Sequence, residues 1–376
     1  ISLYFKHNHE HRASYTPTCD DAKNGKKKIK MKSFNLKVIA LNFLLLSNII
    51  LSQLLAFEVE NIPVQSEGRI KPFDSFARNQ LLRFYGKREV KEHQLKATDW
   101  LLDLILDPKS GRDLKIFNIR NPEVVSSLFL DWTNEHKYSY NEIIPGLKNQ
   151  IDLITAIDEK DDSDRSPFEK QLIELSHNAI VFEELSFMKN IKLIPPALLD
   201  ENAVWQSPFD FIISGVTPAY HQEEILNSLQ KYLAARFQKD NSEMNNALAR
   251  YETITADLPI SSLNVKKLRN ETWMNEADLF VKSLAFYILS FLLIGISWMV
   301  KPTLFRNISY LFLIVGFLIH GYGILLRMQI MGRPPVSTLY ESVIFVSFIL
   351  LLLAVTLEYF RADGLGIFVG SVGGSI

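Results

Sequence analysis

Long charge-free apolar blocks constrain this chain more than any other feature. Val38–Phe57, Ser283–Val300 and Ile308–Leu326 carry no acidic or basic side chain other than one histidine. Val343–Leu357 is shorter and closes against Glu358-Tyr359-Phe360-Arg361, a mixed polar and aromatic boundary of the kind found at a membrane interface. A helix of about 20 apolar residues crosses a ~30 Å hydrocarbon core. The blocks therefore predict a mainly α, polytopic helical membrane protein. The hydrophilic stretch 58–280 between the first and second blocks predicts a large, mostly helical domain in water.

The averages conceal this segregation. Of 376 residues, 47% are hydrophobic and 22% charged, and the formal net charge is −1. That balance excludes an electrostatic nucleic-acid binder, which needs a basic excess, and a highly charged disordered chain. The single cysteine, Cys19, excludes an intrachain disulfide and any zinc or iron–sulfur site built from cysteines.

The two ends read as incomplete. Residues 1–30 hold His7, His9, His11, Cys19 and the basic run Lys26-Lys27-Lys28-Ile29-Lys30, with no amphipathic period, and Met31 is the first methionine. The His-x-His-x-His spacing is one that can bind a metal ion, but the stretch reads first as upstream translation or a disordered leader. Without it the charges are 34 basic and 39 acidic. The glycine-rich apolar end, Gly364 to Ile376, reads as the opening of a further helix. The chain is expected to be a fragment at both ends.

Positive charge beside the blocks sets the expected orientation. Lys30, Lys32 and Lys37 precede the first block, and Lys301 and Arg306 flank the short connection between the second and third. Both sites suit the cytoplasm. Residues 58–280 then fall on the extracytoplasmic side. The first block, residues 38–57, is an anchor or a signal peptide. Arg327 and Arg333 lie on the outer side, against the rule. Either the orientation is wrong or these arginines bind something anionic.

Within 58–280, several helices announce themselves by their caps. Asn121-Pro122 opens one expected to reach His136, and Ser166-Pro167-Phe168-Glu169 is a capping box opening one to about Lys189. Thr98 is the expected cap of a helix carrying Trp100, Leu101, Leu104 and Ile105. Thr217-Pro218 opens a helix with Ile225, Leu226, Leu229, Leu233 and Phe237 on one face. Ser242–Thr255 forms another. Extended pieces are expected at Ile191–Ile194 and Phe209–Ile213, and Glu159–Arg165 reads as a solvated loop. His93, His136, His177 and His221 are scattered, and no nucleophile, zinc-protease or phosphate-loop motif appears.

The most informative stretch runs from Gly316 to Ser342. His320 sits inside an apolar block, where its nitrogens need partners. Gly316, Gly321 and Gly323 allow close approach of a helix or a flat ligand. His320 is either a helix-packing residue or an axial ligand to haem iron. The following Met331-Gly332-Arg333-Pro334-Pro335 makes a rigid turn. Ser337 is the expected cap of the next helix, with Tyr340 and Glu341 in its first turn.

This stretch resembles the entry to the cytochrome c assembly domain of the System II cytochrome c biogenesis proteins. That family pairs a histidine-bearing membrane helix with an arginine and a Gly-x-x-Pro-x-Ser-x-x-Glu-Ser loop. The matching positions are His320, Arg327, Gly332, Pro335, Ser337, Glu341 and Ser342, with Tyr340 beside them. Gly68-Arg69-Ile70-Lys71-Pro72-Phe73-Asp74-Ser75-Phe76-Ala77-Arg78 is similar to a Gly-Arg-x-Lys-Pro segment in fused forms of the family; on its own it is a basic turn leading into an amphipathic helix. Ile194-Pro195-Pro196 and Trp205-Gln206-Ser207-Pro208 match less specifically. The resemblance implies export of haem b as a transported substrate and its presentation for thioether attachment to the Cys-x-x-Cys-His of apocytochrome c. It implies cofactor-binding roles for His320, Arg327, Arg333, Tyr340 and Glu341, with His320 on the haem iron, and thiol-reducing partners. The family's tryptophan-rich haem loop is absent, so the chain would be part of a holocytochrome c synthase rather than a complete one. The competing readings are a membrane receptor with an exported sensor domain and a permease-like transporter subunit.

Overall fold

The computed structural model describes residues 57–90, 95–198, 204–260, 263–300 and 302–375. Most of the first apolar block, the leader with its histidines and Cys19, and His93 lie outside the described residues. The described chain is predominantly helical, and three of its helices are long and apolar enough to cross a membrane: Val265–Met299, Thr303–Met331 and Leu339–Arg361.

The polar domain opens on a hairpin, β1 (Pro63–Ser66) against β2 (Arg69–Pro72), antiparallel with Ser66 opposite Arg69. Its two-residue turn, Glu67-Gly68, has φ of 53° and 75°, the paired left-handed geometry that matches the twist of a hairpin. The strand leads directly into α1 (Phe73–Tyr85), which Gly86 ends at φ 75°. Two further hairpins, β3 (Glu89–Val90) with β4 (Leu95–Lys96) and β5 (Phe117–Asn118) with β6 (Lys137–Tyr138), fasten the helices that follow. These are α2 (Ala97–Leu106), α3 (Pro108–Asp113), α4 (Pro122–Ser127), α5 (Tyr140–Asn149), α6 (Ile151–Asp158), α7 (Pro167–Ser186), α8 (Pro208–Ser214), α9 (Tyr220–Gln238) and α10 (Asn241–Ala256). One continuous core of aliphatic and aromatic side chains joins α1 to these helices apart from α3 and α8, with Phe84, Phe117 and Phe182 in mutual ring contact and Trp100 against Phe84.

The Ser166 capping box forms as expected: the Ser166 hydroxyl accepts from the Glu169 amide, and the Glu169 carboxylate accepts from the Ser166 amide. The Lys160 ammonium completes this arrangement and holds Glu169 down at about 2. Elsewhere the chain departs from expectation. The helix from Asn121 stops at Ser127, not His136, because Phe129 turns left-handed at φ 62°. The Phe129 and Leu130 amides then close on the Ser126 and Val125 carbonyls, a Schellman ending without glycine. Phe209–Ile213 is helical rather than extended, since the Ser207 hydroxyl caps it through Asp210 and Pro208 pre-sets its first turn. Ile194 is extended, but as a single bridge to Gln206. Thr98 lies inside α2 rather than capping it; Lys96, leaving β4, precedes the helix. α9 begins at Tyr220, where the Gln222 side chain accepts from the Ala219 amide. On its face Ile225 and Leu229 are buried, whereas Phe237 is exposed.

After α11 (Val265–Ala277), Asp278 takes a left-handed conformation at φ 45° and the chain bends into α12 (Leu279–Met299). α13 (Pro302–Met331), α14 (Leu339–Arg361) and α15 (Leu365–Gly374) complete the bundle. α13 has 30 residues, roughly 45 Å at 1.5 Å per residue, so it overruns a ~30 Å apolar core. Its seam with α12 is held by reciprocal hydroxyl–carbonyl bonds. Ser290 donates to the Ser309 carbonyl at 2.9 Å and Ser309 to the Ser290 carbonyl at 2.6 Å.

Candidate functional site

The motif residues of the third apolar block fall into two groups along α13. His320 is buried at mid-helix, and Arg327 lies seven residues further on, about 10 Å along the axis. The His320 ring is wedged among Phe280, Tyr287 and Phe348, with centroids 5.7, 6.2 and 5.8 Å away. Both nitrogens are engaged. The Tyr287 hydroxyl donates to Nδ1 at 3.2 Å, and Nε2–H donates to the Ile344 carbonyl at 3.1 Å. In a neutral imidazole that pairing selects the Nε2–H tautomer, and it ties three helices to one side chain. A metal ion could bind only by displacing Tyr287 or Ile344.

The glycines beside His320 admit helices. A Cβ on Gly316 would meet the Tyr287 ring at 2.5 Å, one on Gly321 the Phe348 ring at 2.9 Å, and one on Gly323 the Phe280 ring at 3.1 Å. The same three aromatic rings that enclose His320 thus occupy the space the glycines leave.

At the far end of α13 the loop closes around Glu341. Gly332 ends the helix at φ 66°, its amide bonding the Met328 carbonyl. Thr338, not Ser337, caps α14: its hydroxyl accepts from the Glu341 amide, while Ser337 donates to the Pro334 carbonyl. The threonine cap places Glu341 in the first turn, pointing back at α13. Its carboxylate is 3% exposed and takes Arg327 Nε at 3.0 Å and Arg333 Nη2 at 3.6 Å, both on Oε1. Oε2 has no hydrogen-bond partner among the described residues. The Arg327 guanidinium also lies 5.5 Å from the centre of the exposed Tyr340 ring. Arg327, Arg333, Tyr340 and Glu341 are therefore one cluster: two cations share one carboxylate and leave a net positive charge at the bundle end.

A cleft of about 490 Å³ opens beside this cluster, between the polar domain and the bundle. It is lined by Arg327 and Tyr340 from the bundle and by Arg78, Lys87 and Arg88 from the polar domain. A smaller cavity of about 210 Å³ continues along His320, Leu284, Val343 and Ile344.

The Gly68–Arg78 segment docks on α11. Arg69 forms a two-pronged pair with Glu271, at 2.8 and 2.7 Å. Ser75 donates to the same carboxylate at 2.7 Å, and Asn275 donates to Asp74 and Ser75. Glu271 is buried, and its bonds raise the pKa of Arg69 further. Lys71, 1% exposed, reaches Glu67 at 2.6 Å, and that bond lowers the Glu67 pKa. The weaker match at Ile194–Pro196 also has local work. The Gln222 side chain donates to the Pro195 carbonyl at 2.8 Å, His221 bonds the Pro196 carbonyl, and the Trp205 amide donates to Gln65.

Sequence reasoning missed Tyr287, Phe348, Glu271, Lys87 and Arg88, and it gave Arg78 only as the end of the Gly68–Arg78 match. Tyr287 carried a signal, a phenol in a charge-free block that needs a partner; Glu271 carried none, lying 202 residues from Arg69. Among the described residues, no group of three or more His, Cys, Asp or Glu is arranged to hold a metal ion. No protein-family model matches this chain, and no curated protein matches it significantly.

Proposed function

We propose that this chain belongs to a cytochrome c assembly protein of the bacterial inner membrane that exports haem b and presents it to apocytochrome c. The observation that carries the reading is the convergence of Arg327 and Arg333 on buried Glu341 at the end of the helix that bears His320. These residues also carry the sequence resemblance. A haem edge presents two carboxylates, and paired guanidiniums suit such groups because each offers a planar fork of donors. In this reading Glu341 positions the arginines, Tyr340 flanks the cargo's edge, and residues 58–280 face the periplasm. Attachment is by addition of each apocytochrome thiol across a vinyl group: the S–H bond and the vinyl π bond break, one S–C and one C–H bond form, and no electrons are released.

His320 is the weakest fit. Its two nitrogens are committed to Tyr287 and Ile344, so it packs helices in this arrangement. To hold iron, His320 would have to give up its bond to Tyr287 or to the Ile344 carbonyl. Maturation of a reporter cytochrome c by the complete parent gene tests the reading, in a host lacking its own assembly system. Haem-stained cytochrome is expected to appear, and to fall about tenfold or more with Arg327→Ala. A purified parent protein that carries no haem and matures no cytochrome would sink the reading.

A second reading, a receptor with an exported sensor domain, draws on one observation. The Arg69–Glu271 pair and the Asn275 bonds tie the first hairpin and helix of the polar domain to α11, which runs on into a membrane span. A parent gene that continues into a soluble signalling domain favours it.

A further inference from the structure

We propose that the cleft between the polar domain and the membrane bundle binds the charged head of an amphipathic anion, whose apolar body lies along the neighbouring cavity. The inference deepens the haem reading by giving the cargo's carboxylates a place, and it rests on that reading only for the choice of a porphyrin as probe.

The first argument is charge. Four cationic side chains, Arg78, Lys87, Arg88 and Arg327, line the cleft against two carboxylates, Glu89 and Asp278. Arg78 is paired to Asp74 and Arg327 to Glu341, yet each uses only part of its donor fork there: Arg78 bonds through Nε, and so does Arg327. Arg333, on the same Glu341 oxygen, adds a fifth positive charge close by. A cleft lined mainly by one sign of charge concentrates counter-ions of the other.

The second argument is continuity. Phe280, Val281 and Tyr340 line both the polar cleft and the smaller cavity. The walls change along this path from guanidinium and ammonium groups to Leu284, Val343 and Ile344. A free inorganic anion would use only the first part and a hydrocarbon only the second. A molecule with an anionic head and an apolar body uses both.

The third argument is construction. The cleft has walls from two parts of the chain that meet at the Asp278 bend. Lys87 and Arg88 follow the left-handed Gly86 that ends α1, and Phe280 opens α12 just past the bend. The ion-pair network of Arg69, Ser75 and Asn275 fixes α1 against α11 on the other side of that bend. Head recognition thus draws on both the polar domain and Arg327 of the bundle, and body recognition on the bundle alone.

Two sources supply this chemistry, a porphyrin dicarboxylate and an anionic phospholipid. The test uses the full chain in dodecyl maltoside micelles and three probes read by fluorescence: metal-free protoporphyrin IX, its dimethyl ester and a labelled phosphatidylglycerol. Omitting iron removes any contribution from His320 ligation. The variant is Lys87→Glu with Arg88→Glu, both exposed, and the control is Lys231→Glu, exposed on α9. The diacid is expected to bind at least about tenfold more tightly than its ester, and the double reversal to abolish that difference while the control keeps it. Phosphatidylglycerol binding that falls with the double reversal, without porphyrin binding, supports the cleft with lipid as its occupant and removes the haem reading. Porphyrin binding that the double reversal leaves unchanged overturns the cleft while leaving the haem reading standing. Failure of both anions to bind overturns the cleft as well.

Discussion

Two seams hold this molecule together, and they use polar groups differently. Where the first hairpin and α1 meet α11, the partners are charged: Arg69, Glu271 and Asp74, with Ser75 and Asn275 completing the bonds. Where α12 meets α13, they are neutral: two serine hydroxyls on two carbonyls, and one imidazole between a phenol and a carbonyl. In water-facing protein a guanidinium–carboxylate pair can be half-exposed and still satisfied, so charge is tolerable. In hydrocarbon the same pair would carry a large desolvation cost, and small neutral groups with close backbone approach replace it. Removing one partner should therefore hurt the charged seam more than the neutral one.

Glu271→Ala gives the largest expected effect. It strands Arg69 and leaves the Ser75 hydroxyl without its acceptor. Breaking such a pair costs about 3 kcal/mol, on the order of a hundredfold in the local opening constant. Hydrogen exchange of the amides in β1, β2 and α11 reads it. Protection that is unchanged there means the pair does not hold the seam. Gly316→Val comes next, because any Cβ at that position meets the Tyr287 ring at 2.5 Å. Overpacking of this kind costs about 1–3 kcal/mol. It should also loosen His320, whose Nδ1 partner is the same tyrosine. A melting scan in micelles and the imidazole NMR shifts of His320 measure the two consequences separately. Ser290→Ala is the smallest of the three, about 0.6 kcal/mol by the average for hydrogen bonds within membranes. A loss equal to that of Glu271→Ala would end the comparison between the seams.

Sequence made the membrane side of this picture visible and left most of the other side hidden. The three later apolar blocks, a capping box at Ser166 and a turn at Gly332 are local patterns, and each formed, although the helices around the blocks run several residues past the expected ends. The Arg327–Glu341 pair spans 14 residues and could be read as part of one loop motif. The end of α4 could not, because Phe129 adopts a left-handed backbone that bulky residues ordinarily avoid. An apolar run such as Phe209–Ile213 suits a strand or a helix equally, and its serine cap and proline decided it. His320 was legible as a residue in need of partners, but not which ones: they lie 33 and 24 residues away on two other helices. The cleft was least legible of all, since Arg78, Lys87 and Arg88 reach Arg327 only through the bend at Asp278.

The first hairpin, which the charged seam anchors, has a pH signature of its own that the neutral seam lacks. Lys71 is buried with its ammonium on Glu67, and the bond between them holds the Glu67 pKa below the ordinary carboxylate value. A carboxylate whose folded pKa lies below its unfolded one stabilises the fold above the unfolded value, and that contribution is lost as pH falls through the folded one. Glu67 itself is largely exposed, so solvent screens the pair and the effect is small. Glu67→Gln removes this titration. Wild-type protection of the β1–β2 amides should fall as pH is lowered from neutrality through the carboxylate range, and the Gln variant should fall by less over the same window. The amides flanking Ser290 and Ser309, held by groups that do not ionise there, should show no difference between the two proteins. A variant hairpin as acid-sensitive as the wild type would mean that the buried ammonium draws its stabilisation from elsewhere.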